Sequence, residues 1–93
     1  MYASIRWYGG NTDLAGQLAS RADDVKSVIS VISGFKAYYL VQVDGGTVSI
    51  SVFDDEAGAE ESNRAAAAWL RDNMPDVSVD PPSTSGGEVV VHA

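Results

Sequence analysis

Phe35-Lys36-Ala37-Tyr38-Tyr39-Leu40-Val41-Gln42-Val43-Asp44-Gly45-Gly46-Thr47-Val48-Ser49-Ile50-Ser51-Val52-Phe53 is the stretch that decides the fold. Both halves are rich in β-branched and aromatic residues, and Asp44-Gly45-Gly46 between them has the composition of a tight hairpin turn. So short a turn makes the two strands antiparallel neighbours. In the first strand Phe35, Ala37, Tyr39, Val41 and Val43 fall on one side, Tyr38 and Leu40 on the other. In the second, Val48, Ile50 and Val52 share one face, and Thr47, Ser49, Ser51 and Phe53 share the opposite one.

Toward the N-terminus the pattern changes period. Gly34 supplies a left-handed stop for a helix in which Leu14, Leu18, Ala22, Val25, Ile29 and Ile32 form one apolar stripe. Asn11 or Thr12 caps it, and Asp13 complements its dipole. Before it, Tyr2 to Tyr8 reads as a strand closed by Gly9-Gly10, with Ala3, Ile5 and Trp7 on one face and Tyr2, Ser4, Arg6 and Tyr8 on the other. Toward the C-terminus, Asp54-Asp55-Glu56 starts an Ala-rich helix over Ala57 to Asn73, with Glu60 and Arg64 at a pairing distance and Pro75 after its end. Asp76 to Gly87 reads as a connection or arm in which Val77-Ser78-Val79 forms a short edge strand, and Glu88 to His92 as the last strand. The order is βαββαβ, which predicts a ferredoxin-like α+β domain with a mainly antiparallel sheet spanning residues 1–93.

The totals bound the function. A chain of 93 residues holds one domain, and 45% apolar residues is ample for a core. No cysteine is present, which excludes disulfides, thiolate metal sites and cysteine nucleophiles and suits a reducing cytoplasm. The net charge of −7 repels phosphate backbones and anionic membrane surfaces, and Arg6, Arg21, Lys26, Lys36, Arg64 and Arg71 are scattered. No apolar run reaches membrane-span length, and the N-terminus is not a secretory signal. A soluble, cytoplasmic protein without nucleic-acid or membrane partners is expected.

Two helices cover only one face of a four-stranded sheet, yet the first two strands carry large apolar or aromatic residues on both sides. A face-to-face homodimer would remove the second apolar face from water.

The segments Gly34-Phe35-Lys36-Ala37-Tyr38-Tyr39 and Ser49-Ile50-Ser51-Val52-Phe53, with the Ala57 to Trp69 helix, resemble the antibiotic biosynthesis monooxygenase-like branch of the dimeric α/β-barrel superfamily. The resemblance runs over nearly the whole chain and rests on pattern. It implies a dimer whose two sheets form a barrel, a pocket between sheet and helices in each subunit, and cofactor-independent oxidation of aromatic, polyketide or quinol-type substrates. Three positions depart from characterised members. Phe53 stands where many have Trp; Asn63 or Ser62 stands where haem-degrading members have a ligating His; and Tyr2 to Tyr8 lacks those enzymes' Asn. The resemblance therefore does not extend to haem degradation.

Asn63 is the best catalytic candidate. It shares an apolar stripe with Ala59, Ala67, Leu70 and Met74, where an amide must find partners. It either orients a substrate carbonyl or enolate, or bonds to nearby backbone. Tyr38, Phe53, Asn63 and Trp69 form the expected pocket for a small aromatic ligand, although the rings equally suit core or interface packing. Arg6 can pair with a ligand carboxylate or with an acid across the dimer. His92 stands alone, Asp54-Asp55-Glu56 is a helix start, and Gly9-Gly10 lacks a phosphate-loop pattern, so neither metal nor cofactor is expected. No general base is evident. The alternative to an enzyme is a non-catalytic binding or dimerisation domain.

Overall fold

The computed structural model describes residues 1–9, 14–74 and 82–93. Four strands, β1 (Tyr2–Gly9), β2 (Phe35–Val43), β3 (Gly46–Phe53) and β4 (Ser83–Glu88), make one sheet in the order β2-β3-β1-β4. Every pairing is antiparallel. Three helices, α1 (Leu14–Ala19), α2 (Ala22–Ser30) and α3 (Glu56–Asn73), complete the ferredoxin-like α+β fold. No helix among the described residues is long and apolar enough to cross a membrane.

The hairpin forms as its composition dictates. Val43 pairs with Gly46 across Asp44-Gly45, and Gly45 takes φ +82°, a left-handed conformation that costs glycine nothing sterically. Gly34 likewise ends the helical segment at φ +83°, and its carbonyl accepts from the Asp54 N–H at 2.8 Å. The side chain of Asp55 caps α3 by accepting from the Gly58 N–H at 3.1 Å.

The strand faces resolve in an unexpected sense. The face of β3 that packs under the helices carries Thr47, Ser49, Ser51 and Phe53, all buried, while Val48, Ile50 and Val52 lie on the open face and are only half-buried. On β1, Ser4, Arg6 and Tyr8 are buried, whereas Ile5 and Trp7 are exposed. Two apolar clusters flank this polar strip. Tyr8, Leu14 and Leu18 make one, with Val25, Leu40, Trp69 and Leu70 against it. Ile29, Phe53 and Ala59 make the other, with Tyr2, Phe35, Tyr38 and Ala66. Burying a side chain such as Leu14, Ile29 or Phe53 stabilises the fold by about 1.5–3 kcal/mol.

Five expectations are corrected. The first helical segment is two helices, broken at Ser20 and Arg21. There the Ser20 hydroxyl donates to the Gln17 carbonyl at 2.7 Å, and the Arg21 N–H tightens onto the Leu18 carbonyl at 3.0 Å. The stripe survives the break because Leu18, Val25 and Ile29 still face the sheet side. Phe35 does not share a face with Tyr39: a bulge between Phe35 and Ala37 shifts the register and turns the Phe35 ring onto Phe53, centroids 5.9 Å apart. Arg64 pairs with Glu61 at 2.7 Å, one residue nearer than Glu60. The inner face of α3 runs through Ala59, Ser62, Asn63, Ala66 and Leu70, leaving Ala67 exposed.

The last strand is Ser83–Glu88, within the expected connection, and only Glu88 of the expected strand belongs to it. Tyr2 pairs with Glu88 and Ala3 with Gly87, so the Tyr2 ring crosses Gly86, where a Cβ would lie 2.8 Å from its hydroxyl. A side chain there would require the Tyr2 ring to shift, so glycine suits the position, and the pairing runs on to the Val89 N–H, which donates to the Met1 carbonyl at 2.9 Å. Val90 and Val91 stay 90% and 84% exposed. The expected cap at Asn11 or Thr12 and the expected edge strand Val77-Ser78-Val79 lie outside the described residues.

Candidate functional site

The site is built on parity. Arg6 lies opposite Ser49 and Ser4 opposite Ser51 in the β1–β3 ladder, so their side chains rise together beneath α3. Arg6 is 2% exposed. Its Nη1 donates to the Asn63 Oδ1 at 2.7 Å, and its Nη2 donates to the Ser49 Oγ at 2.7 Å and more weakly to the Ser51 Oγ at 3.4 Å. The Ser4 hydroxyl adds a second bond to the Asn63 Oδ1 at 2.9 Å, and the Ser49 hydroxyl donates to the Tyr38 hydroxyl at 3.2 Å. One network therefore joins four elements, β1, β2, β3 and α3, around a guanidinium at its centre.

A guanidinium stays protonated at any working pH, so Arg6 is a buried full charge. Its acceptors are neutral. The ion pairs among the described residues are Arg21–Asp24, Lys36–Asp54, Arg64–Glu61 and Arg71–Asp72; all are at the surface and none includes Arg6. Among the described residues the Arg6 Nε has no hydrogen-bond partner. Tyr8, one step along the same face, is buried too, and that burial holds its phenol above its ordinary pKa while the Arg6 charge opposes the shift.

Two cavities adjoin the network. An inner one of about 30 Å³ is walled by Arg6, Tyr8, Tyr38, Ser49, Trp69 and Leu70, among others. An outer groove of about 710 Å³ runs between α1–α2 and the β2 edge, lined by Leu18, Ala22, Val25, Phe35, Tyr38 and Leu40. Leu18, Val25, Tyr38 and Leu40 line both, so the groove and the inner cavity share these residues as a wall. Its volume suits a drug-sized ligand. The roof is pinned where Arg21 bridges elements: its guanidinium donates to the Asn73 carbonyl at 3.1 Å and to Asp24, and lies 5.0 Å above the Trp69 ring.

Of the residues singled out in the sequence, Tyr38 lines both cavities and Trp69 the inner one. Asn63 is half-buried and enters through its bonds to Arg6 and Ser4. Phe53 is fully buried against Phe35 and Ala59 and borders neither cavity. Arg6 faces the helices rather than a second subunit, so pairing across a sheet interface is closed to it. Sequence reading missed Ser4 and Ser49; the signal was the alternation of Ser with Val and Ile in β3, which places hydroxyls opposite Arg6. Among the described residues no group of three or more His, Asp or Glu could hold a metal ion.

These features define a ferredoxin-like domain with an apolar groove beside a small cavity lined by a buried cation. No family model and no curated protein sequence matches the chain. Solved structures do. A protein proposed to be an antibiotic biosynthesis monooxygenase, from Nitrosomonas europaea, superposes with TM-score 0.72 at 14% identity, covering 98% of this chain and 100% of that one. The heme-degrader MhuD from Mycobacterium tuberculosis, with two hemes bound in its active site, gives 0.72 at 14% identity, covering 100% and 99%. A dimeric ferredoxin-like protein from an uncultured marine organism gives 0.65 at 12% identity, covering 99% and 95%. The family resemblance seen in the sequence thus holds as a likeness of fold.

Proposed function

We propose that the chain is a small-molecule-binding domain that takes a flat organic ligand into the groove between α1–α2 and β2. The observation that carries this is the 710 Å³ groove set against an inner cavity that Arg6 lines, the two sharing Leu18, Val25, Tyr38 and Leu40 as walls. Apolar walls with a few convergent polar groups at one end are the form that ligand sites take. One fold neighbour is described as a proposed antibiotic biosynthesis monooxygenase, and the reaction proposed for this chain is a cofactor-independent oxygenation of an enolisable aromatic or quinol-type substrate. In such a step a ring CH2 flanked by a carbonyl loses a proton and gives up electrons to O2; one oxygen ends in the new carbonyl and the other in water. The Asn63–Arg6 pair would hold the substrate anion, with Asn63 as the positioning residue.

The working unit in this reading is a homodimer. Ile5, Trp7, Tyr39 and Val41 are 41%, 37%, 58% and 41% exposed on one face of a sheet whose other face is covered. A second copy laid on that face removes all four from water at once. A cytoplasmic setting suits a chain without cysteine.

The test is a panel of polyphenols and quinols scored by binding and by oxygen uptake, run beside Ala22→Trp, which fills the groove mouth without touching the Arg6 network. Saturable binding that Ala22→Trp abolishes supports the reading. Binding indifferent to Ala22→Trp sinks it, and binding without oxygen uptake leaves a binding domain rather than an oxygenase.

A further inference from the structure

Arg6 presents a problem that the fold does not solve. Moving a charged group out of water costs several kcal/mol even after relaxation, and proteins recover this with an opposite charge. The chain has 13 acidic residues against 6 basic ones, so carboxylates are plentiful. Yet none among the described residues pairs with Arg6; its Nη1 and Nη2 donate to the Asn63 amide oxygen and to the Ser49 and Ser51 hydroxyls, and the Tyr8 phenol also hydrogen-bonds to its side chain, all of them neutral groups. Those groups engage Nη1 and Nη2 and leave the Nε N–H, fully buried, without a partner among the described residues.

The unpartnered donor belongs to a residue that lines the inner cavity. A space of about 30 Å³ holds about one water-sized group, so it admits a single oxygen rather than a ring. The outer groove, lined by Leu18, Val25, Phe35 and Leu40, admits the ring. Size and chemistry are thus sorted between two adjoining spaces, the apolar volume outside and, within, a small cavity walled in part by the buried Arg6.

We infer that Arg6 is an anion-binding residue, and that the ligand is an aromatic acid whose single anionic oxygen enters the inner cavity while its ring lies in the groove. The inference rests on the binding reading above and narrows it to a substrate class. A carboxylate and the enolate of an acidic enol both present such an oxygen. The neutral network of Asn63, Ser4, Ser49 and Tyr38 then has a clear purpose: it orients the guanidinium without cancelling its charge, which an Asp or Glu in the same place would do.

The experiment measures dissociation constants for 1-naphthoate, 2-hydroxy-1,4-naphthoquinone and 1-naphthamide by calorimetry. The first supplies a carboxylate, the second an acidic enol ionised at neutral pH, and the third the same ring body without charge. The expected result is that at least one anion binds tenfold or more tighter than the amide, and which of the two does so separates carboxylate from enolate ligands. Arg6→Gln should erase that preference. Because Arg6→Gln risks the fold, Asn63→Asp is measured beside it; this change places a carboxylate against Nη1, preserves the pairing and should also erase the preference. Equal binding of anions and amide overturns the inference and leaves the groove standing. So does a preference that survives Asn63→Asp. Absence of binding by all three removes the binding reading itself.

Discussion

Replacing Asn63 by Ala tests whether this amide is a load on α3 or its anchor to the sheet. The Asn63 Oδ1 accepts two bonds, from the Arg6 Nη1 at 2.7 Å and from the Ser4 hydroxyl at 2.9 Å. A bond from a charged donor contributes about 1.5–3 kcal/mol and one from a neutral hydroxyl about 0.5–1.5 kcal/mol. The Ser4 hydroxyl can turn to another acceptor, but the guanidinium is held by β1 and cannot follow water outward. The expected cost is therefore about 2–4 kcal/mol, dominated by Arg6. For a domain of this size that lowers Tm by roughly 10–20 °C. Urea unfolding followed by circular dichroism reads the free energy directly, with an unchanged m value showing that the folded state keeps its compactness. Asn63→Asp should move the other way, since it gives the buried cation its missing counter-charge. An Asn63→Ala protein within about 0.5 kcal/mol of the parent, the range of an ordinary surface change, would refute the view that Arg6 depends on this amide.

Three further outcomes follow from other parts of the molecule. Trp7→Glu or Tyr39→Glu on the open sheet face should halve the mass seen by sedimentation from about twice the 9.8 kDa chain to the single chain; a parent already sedimenting at the single-chain mass would sink the dimer. Gly86→Val should displace Tyr2 and release β4, seen as loss of amide-exchange protection over Ser83–Glu88, whereas Val90→Ser at a 90% exposed position should change nothing. Tyr8 has a raised pKa through burial, so its contribution to stability is complete below its ordinary value of 10 and is lost as pH climbs through the higher folded value. Alkaline unfolding should accordingly set in above pH 10 and be weaker in Tyr8→Phe, and equal curves for the two proteins would contradict the assignment.

The elements that proved legible were those whose signal is local. The hairpin needed only Asp44-Gly45 between two β-rich runs, and α3 only an acidic start and an Ala-rich body. The elements that were misread are decided elsewhere. Val89-Val90-Val91 has the better strand composition, yet the register sets Ser83–Glu88 opposite β1, with glycine at position 86 where the Tyr2 ring crosses. Strand propensity describes fit to a generic pleated surface, and here the surface is specific. The bulge after Phe35 is similar: two-residue periodicity put Phe35 with Tyr39, and one extra residue reversed it.

The site was harder to read for a related reason. Alternation assigns residues to faces but does not say which face is inside, and the usual guide, that the apolar face is buried, points the wrong way in β3. Val48, Ile50 and Val52 lie on the open face, and Thr47, Ser49 and Ser51 lie under the helices. The inversion makes sense only once Arg6 is placed: a buried guanidinium requires acceptors on the strand beside it, and Ser49 and Ser51 are those acceptors. It also returns to the open face. A sheet whose polar residues are committed to an internal cation has its aliphatic residues left for the other side, so Val48, Ile50 and Val52 join Ile5, Trp7, Tyr39 and Val41 there. On this argument the cation site and the apolar outer face are two consequences of one strand pattern. A variant that replaced the inner serines of β3 by Val would have to lose the Arg6 site while leaving self-association intact, and failure of that separation would mean that the two faces are coupled through the sheet rather than merely alternating along it.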